Sequence, residues 1–328
     1  MSAPGQGLLR VRVAAKTPVA ASVCRFDLVS ADGTALPAFG AGAHVDVHLG
    51  DGAALVRQYS LCNPPGETHR YQIGVLRDAA SRGGSAALHN EVHEGQVLTI
   101  SAPRNHFPLV AGARRSLLLA GGIGITPLLA MAGQLSATGG DFAFHVAARS
   151  RAQAPFLDHL AAAPYAGRVR VHLDDGPAAQ RLDLPALLAA PAAGTHLYVC
   201  GPRGFMDAVL ATARAQGWPE AQLHWEFFAN DAAAAPRDGD EAFEVELARS
   251  GRVVAVARGQ SIVQALAAAG VPVVTSCEQG VCGTCLTRVS AGVPDHRDAY
   301  LTPEEQAAND QMLPCCSRAR SARLVLDL

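Results

Sequence analysis

Four cysteines near the carboxyl end have the types and spacing to do chemistry: Cys277, Cys282 and Cys285, with Cys315 further on. Four residues separate the first two, and two separate the second and third. A C-x4-C-x2-C set closed by a distant cysteine is the spacing that holds a 2Fe–2S cluster through four thiolates. The close trio needs a tight loop, and Gly280 and Gly283 supply backbone freedom that a Cβ would forbid. The competing reading is structural zinc, but zinc ribbons pair two C-x2-C knuckles. Here the second half offers only the adjacent pair Cys315-Cys316. A cluster of this kind moves one electron at a time, so the rest of the chain should hold a donor.

Two upstream stretches suit phosphate. In Arg57-Gln58-Tyr59-Ser60 a strand would put Arg57 and Tyr59 on one side and Ser60 on the other. An arginine fork suits a phosphate group. Arg82-Gly83-Gly84-Ser85 precedes an apolar-periodic run, so the glycines open a concavity and Ser85 is expected to cap a helix. Free N–H groups at such a terminus favour an anion.

A third stretch is strand, glycine loop, helix. Arg115 to Ala120 runs apolar after its basic start, then meets Gly121-Gly122-Ile123-Gly124-Ile125-Thr126-Pro127 and a helical pattern. That arrangement is a parallel α/β phosphate site. Thr126 is the expected N-cap, and Pro127 suits the first turn. Strands recur at 142–148, 169–173 and 196–200, the last leading into Cys200-Gly201-Pro202. Ligands of open parallel sheets gather outside the carboxyl ends of strands. Cys200 has the alternative of simple burial. Arg149, Arg151, Asp174 and Asp175 could reach an adenosine ribose, and with both signs present they leave NADH and NADPH open.

These loops need elements to carry them. The chain has 328 residues, 49% of them hydrophobic, which is enough for two or three domains with their own cores. From Leu8 to about Val110, short strands between glycine-rich turns predict a small antiparallel barrel. After an alanine-rich linker, strands at 243–247 and 253–256 predict a hairpin, followed by a helix over 261–269 and the cysteine loop. Net charge is −2, which argues against nucleic acid or an anionic membrane as partner. No stretch of about twenty apolar residues predicts a membrane span. Met1 to Gly7 lacks a signal-peptide pattern, and Cys24, Cys62 and Cys200 lie far apart, so a reducing cytoplasmic location is expected.

The cysteine segment, with Gly259 to Leu266 leading in, resembles plant-type 2Fe–2S ferredoxins. Arg57-Gln58-Tyr59-Ser60 resembles the R-x-Y-S motif of the ferredoxin–NADP reductase superfamily, Gly121 to Pro127 its G-G-x-G-x-T-P, Cys200-Gly201-Pro202 its C-G-P, and Glu226-Phe227-Phe228 its closing E-x-F. The order of parts resembles the phthalate dioxygenase reductase and vanillate O-demethylase reductase family. The resemblance implies a flavin-binding antiparallel β-barrel (1–110), an α/β parallel-sheet nicotinamide domain (111–229), a linker (230–241) and an α+β ferredoxin domain (242–328).

It further implies FMN, with FAD the alternative, held by Arg57, Tyr59, Ser60, Gly83, Gly84 and Ser85. NADH, with NADPH the alternative, would meet Gly121, Gly122, Gly124, Thr126, Pro127, Cys200, Gly201 and Pro202. Ser60 would sit near the reactive flavin nitrogen, Cys200 near the nicotinamide, and Phe228 (Phe227 second) against the flavin. Cys315 rather than Cys316 would complete the ligands, because the family carries a cysteine two residues before Ser-Arg. Electrons would pass from NADH through flavin and cluster to a terminal Rieske-type oxygenase. The alternatives are a cytochrome P450 or free ferredoxin as acceptor, and a non-enzymatic iron–sulfur sensor. A sensor needs an output module, such as a basic DNA-binding helix, and would leave the glycine motifs without a purpose.

Overall fold

The computed structural model describes residues 7–50, 55–78, 83–189, 191–228 and 237–328. The chain divides into two compact units, Met1–Glu226 and Phe227–Leu328.

The first unit opens with β1 (Leu8–Ala20), β2 (Val23–Ser30), β3 (Ala43–Leu49), β4 (Leu55–Ser60), β5 (Tyr71–Leu76), β6 (Val97–Ser101) and β7 (Arg104–Asn105). They pair antiparallel in the order β4-β3-β6-β1-β2-β5, with β7 on β3. The two ends of that order meet where Leu61, just past β4, bridges Ile73 of β5, which closes the sheet on itself. Alternation explains the interior: Val11 and Val13, Phe26 and Leu28, Val45 and Val47, and Tyr71 and Ile73 point inward and are buried. The short helix Gly84–Asn90 adds Leu88 to this core.

The second sheet of this unit is parallel throughout: β8 (Arg115–Gly121), β9 (Phe142–Ala148), β10 (Val169–Leu173), β11 (Thr195–Cys200) and β12 (Leu223–Glu226), in the order β10-β9-β8-β11-β12. Parallel strands covered on both faces read as continuous apolar runs, as Leu117 to Ala120 does. The strand order reverses between β8 and β11, where such sheets bind ligands. The helix Ile125–Ala137 buries Ile125 and Leu128 to Ala132. Ala41, Cys62 and Phe107 from the barrel segment join it in one core.

The second unit holds β13 (Phe243–Leu247), β14 (Val253–Val256), β15 (Thr287–Ala291), β16 (Pro294–Asp295), β17 (Gln311–Met312), β18 (Arg318–Ala319) and β19 (Arg323–Leu326). Five of them form the mixed sheet β14-β13-β19-β15-β17, and β16 pairs β18. The expected hairpin is β13 against β14. The helix Ile262–Ala268 starts on a capping box, in which Ser261 and Gln264 satisfy each other's backbone N–H groups. Its Ile262, Ala265 and Leu266 pack on the sheet. The cysteine loop lies between this helix and β15 and has no regular structure. Among the described residues no helix is long and apolar enough to cross a membrane.

Candidate functional site

In the first unit, β4 carries the Arg57-to-Ser60 motif along the barrel wall. Arg57 lies so close over Gly84 that a Cβ there would collide with its side chain. Two stretches far apart in sequence thus put a guanidinium and the Gly83–Ser85 backbone in one place, a fit for an anion. Arg82 lies outside the described residues. Tyr59 is half-buried, and burial drives its phenol above the ordinary range against the opposing pull of Arg57.

Ser85 does not cap its helix. The helix starts at Gly84, with Gly83 at the N-cap at positive φ (95°), and the Ser85 hydroxyl accepts from the Asp78 N–H at 3.2 Å. Thr126 is not a cap either. A 3-10 turn over Gly122–Gly124 starts the helical path early, so Thr126 falls inside Ile125–Ala137 and its hydroxyl donates to the Ile123 carbonyl at 3.1 Å. Pro127 lies in the first turn, as expected. In both cases glycine took over the turn that a side-chain cap was expected to make.

The glycine loop after β8 packs against the turn after β11. At Gly124 a Cβ would run into the Cys200 carbonyl, and at Gly121 it would come 2.9 Å from the Pro202 ring. At Gly201 a Cβ would come as close, 2.9 Å from the Gly121 Cα. These glycines bring two backbones together at the switch point. Asp174 and Asp175 follow β10, and their N–H groups donate to the carbonyls of Ala148 and Arg149 at 3.1 Å each. The two loops expected at the ribose are therefore neighbours.

Ser60, Cys200 and Glu226 meet here. Cys200 and Glu226 are register partners across β11 and β12. The Ser60 hydroxyl donates to the Glu226 carboxylate, whose Oε2 is sealed from solvent with no hydrogen-bond partner. Burial lifts the Glu226 carboxyl to about 8, against the lowering effect of Ser60. Burial, and then the neighbouring Glu226, push the Cys200 thiol well above its ordinary range. Cys200 is thus no nucleophile at neutral pH. Phe228 follows β12 and is 37% exposed.

In the second unit all four expected ligands are buried. Cys277 is within hydrogen-bond reach of Cys282 and of Cys315, and Cys285 is within reach of Cys315. In those contacts Cys277 accepts and is held below the ordinary thiol range, while Cys282 and Cys315, which donate to it, are pushed above it. The thiols touch sulfur to sulfur, and no three His, Cys, Asp or Glu among the described residues are spaced around a single ion. Gly280 and Gly283 both have positive φ, 68° and 69°. At Gly280 a Cβ would strike the Cys316 sulfur and stand 2.9 Å from the Asp298 Cα. Cys316 therefore packs behind the loop, 5% exposed, with Sγ 3.7 Å from the Leu313 carbonyl. The donor set, four converging thiols on one loop and its neighbour, fits an iron–sulfur cluster.

Residues 245–320, which contain all four cysteines, match the family model described as the 2Fe-2S iron-sulfur cluster binding domain. The whole chain is 54% identical over 319 residues to a vanillate O-demethylase oxidoreductase of Pseudomonas putida, covering 96% of this chain and 98% of that one. It is 40% identical over 323 residues to a phthalate 4,5-dioxygenase reductase subunit of the same species, covering 98% and 97%. The chain belongs to the phthalate dioxygenase reductase family. A solved phthalate dioxygenase reductase, described as modular for electron transfer from pyridine nucleotides to 2Fe–2S, is 38% identical with a TM-score of 0.75, and each chain is covered to 98%. An intact self-sufficient cytochrome P450 monooxygenase is 41% identical with a TM-score of 0.84; the match covers 98% of this chain and 41% of that one.

As a phthalate dioxygenase reductase-type protein, the chain is an NADH-dependent flavin and iron–sulfur oxidoreductase. The cofactors of the family are FMN, NADH and a 2Fe–2S cluster, and its members serve oxygenases. Sequence reasoning passed over Glu226. It stands in the E-x-F motif, whose aromatic residue is the part the resemblance singles out, and only the fold reveals that Ser60 and Cys200 flank the carboxyl.

Proposed function

We propose that this chain is the reductase of a Rieske-type oxygenase acting on a small methoxylated aromatic acid such as vanillate. The observation that carries the reading is the pairing, in one chain, of the Ser60–Cys200–Glu226 cluster beside a phosphate-type glycine loop with four converging thiols. Near-complete coverage of relatives named for vanillate demethylation supports the substrate class.

The residues divide the work. Arg57, Gly83, Gly84 and Ser85 hold the flavin phosphate, and Tyr59 flanks the ring. The loop of Gly121, Gly122, Gly124, Thr126 and Pro127, with Cys200, Gly201 and Pro202, orients the dinucleotide. Ser60, hydrogen-bonded to Glu226, lines the reacting edge, Glu226 keeps a proton beside it, and Phe228 guards the nicotinamide position. Cys277, Cys282, Cys285 and Cys315 bind the cluster. FMN and the cluster, when bound, convert a two-electron donor into single-electron delivery.

The test is turnover. NADH, dioxygen, this protein and a purified Rieske vanillate oxygenase should release formaldehyde from vanillate, and the rate should vanish without this chain. Cluster reduction by NADH that never reaches the oxygenase would sink the partner assignment. The second reading is a cytochrome P450 acceptor, favoured by the P450 likeness. P450 reduction faster than Rieske reduction would select it.

A further inference from the structure

A network of buried charge joins the start of the ferredoxin unit to its cluster loop. Asp240, Arg297 and Arg318 are 8%, 8% and 5% exposed. Arg297 grips both oxygens of Asp240 and donates from Nε to Asp295 at 2.8 Å. Arg318 approaches Asp240 at 3.8 Å and donates to the carbonyls of Glu241 at 2.9 Å and Gln260 at 2.6 Å. Its guanidinium stands 5.0 Å over the Phe243 ring. The Arg237 N–H donates to Asp240 at 3.0 Å, and the Asp240 N–H returns to the Arg237 carbonyl at 3.1 Å. The segment 237–241 is thus a closed turn held from within.

Both arginines are rooted at the cluster. Arg318 lies three residues beyond Cys315. Arg297 precedes Asp298, whose Cα packs on Gly280 and whose carboxylate accepts from the Leu301 N–H at 2.8 Å and the Ser317 hydroxyl at 3.4 Å. The Arg297 N–H itself donates to Ser317 at 3.2 Å. Two short routes, one through each arginine, therefore connect Asp240 with the ligand loop. A buried ion pair adds little net stability, since desolvation offsets attraction. Its better-attested use is to fix one arrangement among several.

We propose that Asp240 is a positioning residue for electron transfer: clasped by Arg297 and Arg318, it fixes the point at which the interdomain segment leaves the ferredoxin unit. The cleft of about 450 Å³ over this turn, lined by Arg237, Asp240, Asp295, Arg297, Arg318 and Arg320, is the outer face of the clasp. Arg297 holds the Asp240 carboxyl far below the ordinary range, with the Arg237 N–H and Arg318 assisting, so the clasp stays charged across physiological pH.

The inference rests on the flavin-to-cluster electron path. The experiment is anaerobic stopped-flow mixing of the full-length holoprotein with NADH, following flavin and cluster bleaching separately. In wild type both should bleach; a cluster that stays oxidised there would refute the path rather than the clasp. In Asp240→Ala, flavin reduction should hold its rate, while flavin-to-cluster transfer slows measurably, because reacting groups must be held close to their working geometry. Cluster content, its electron paramagnetic resonance signal and its potential should stay as in wild type. Asp240→Glu, which keeps the charge, should recover most of the rate. Wild-type transfer in Asp240→Ala overturns the proposal. Loss of the cluster in both Asp240→Ala and Arg297→Lys also overturns it, because the network would then build the ligand loop rather than set the departure point.

Discussion

Glu226 faces Cys200 in register across two parallel strands, and burial lifts its carboxyl to about 8. In the unfolded chain the same group ionises near 4.5. Between those values the folded state keeps a proton that the unfolded state has shed. Rising pH therefore draws the equilibrium toward unfolding. The contribution is full below 4.5 and is lost as pH rises through 8. Glu226→Gln keeps the shape and removes the titration. Its unfolding free energy should vary less between pH 6 and pH 8 than that of wild type, by about 2 kcal/mol. Parallel curves for the two proteins in urea melts across that range would show that the carboxyl is not held protonated.

Lys16 is the only lysine in the chain, and its Nζ donates to the carbonyls of Leu88, His89 and Val92 at 3.1, 2.7 and 2.9 Å. It thereby closes the carboxyl end of the helix Gly84–Asn90, where backbone acceptors lack intrahelical partners. Lys16→Met should cost about 2 kcal/mol, because charged hydrogen bonds are lost and part-buried carbonyls are stranded. Chemical denaturation of the two proteins checks this, and a difference within error would place the lysine on a solvated surface.

Much of this architecture was legible in the sequence because its signals are local. Alternation marked the barrel strands, apolar runs marked the parallel sheet, and the spacing from Cys277 to Cys285 marked the loop. The expected caps at Ser85 and Thr126 failed for a local reason too: a glycine two residues earlier, Gly83 or Gly124, took the N-cap position of each helix. The rest depends on contacts between distant segments. Glu226 is one carboxylate among many until β12 sets it beside Cys200. Asp240, Arg297 and Arg318 look like ordinary surface charge until the fold buries them, since neither pattern nor composition marks which charges will pair.

Arg57 lies over Gly84, and this contact ties the strand motif to the glycine loop. Gly84→Ala should push the guanidinium aside, and Arg57→Ala should remove it. Each should weaken flavin retention by about tenfold, the worth of one charge-assisted contact. Dilution followed by flavin fluorescence measures the loss. Riboflavin, which lacks the phosphate, should bind wild type and Arg57→Ala alike; a matching loss for riboflavin would move Arg57 from the phosphate to the ring.

Cys315 and Cys316 are neighbours with different surroundings. Cys315 reaches Cys277 and Cys285, whereas Cys316 packs behind Gly280. Cys316→Ala should keep two irons and two sulfides per chain, the inventory of this cluster type. Cys315→Ser and Cys282→Ser should lose the cluster yet still oxidise NADH with ferricyanide, because the flavin and nucleotide loops lie in the other unit. Iron and sulfide assays beside ferricyanide activity separate the outcomes. If Cys316→Ala lost the cluster and Cys315→Ser kept it, the fourth ligand would be Cys316, and the loop would have to turn by one residue to present it.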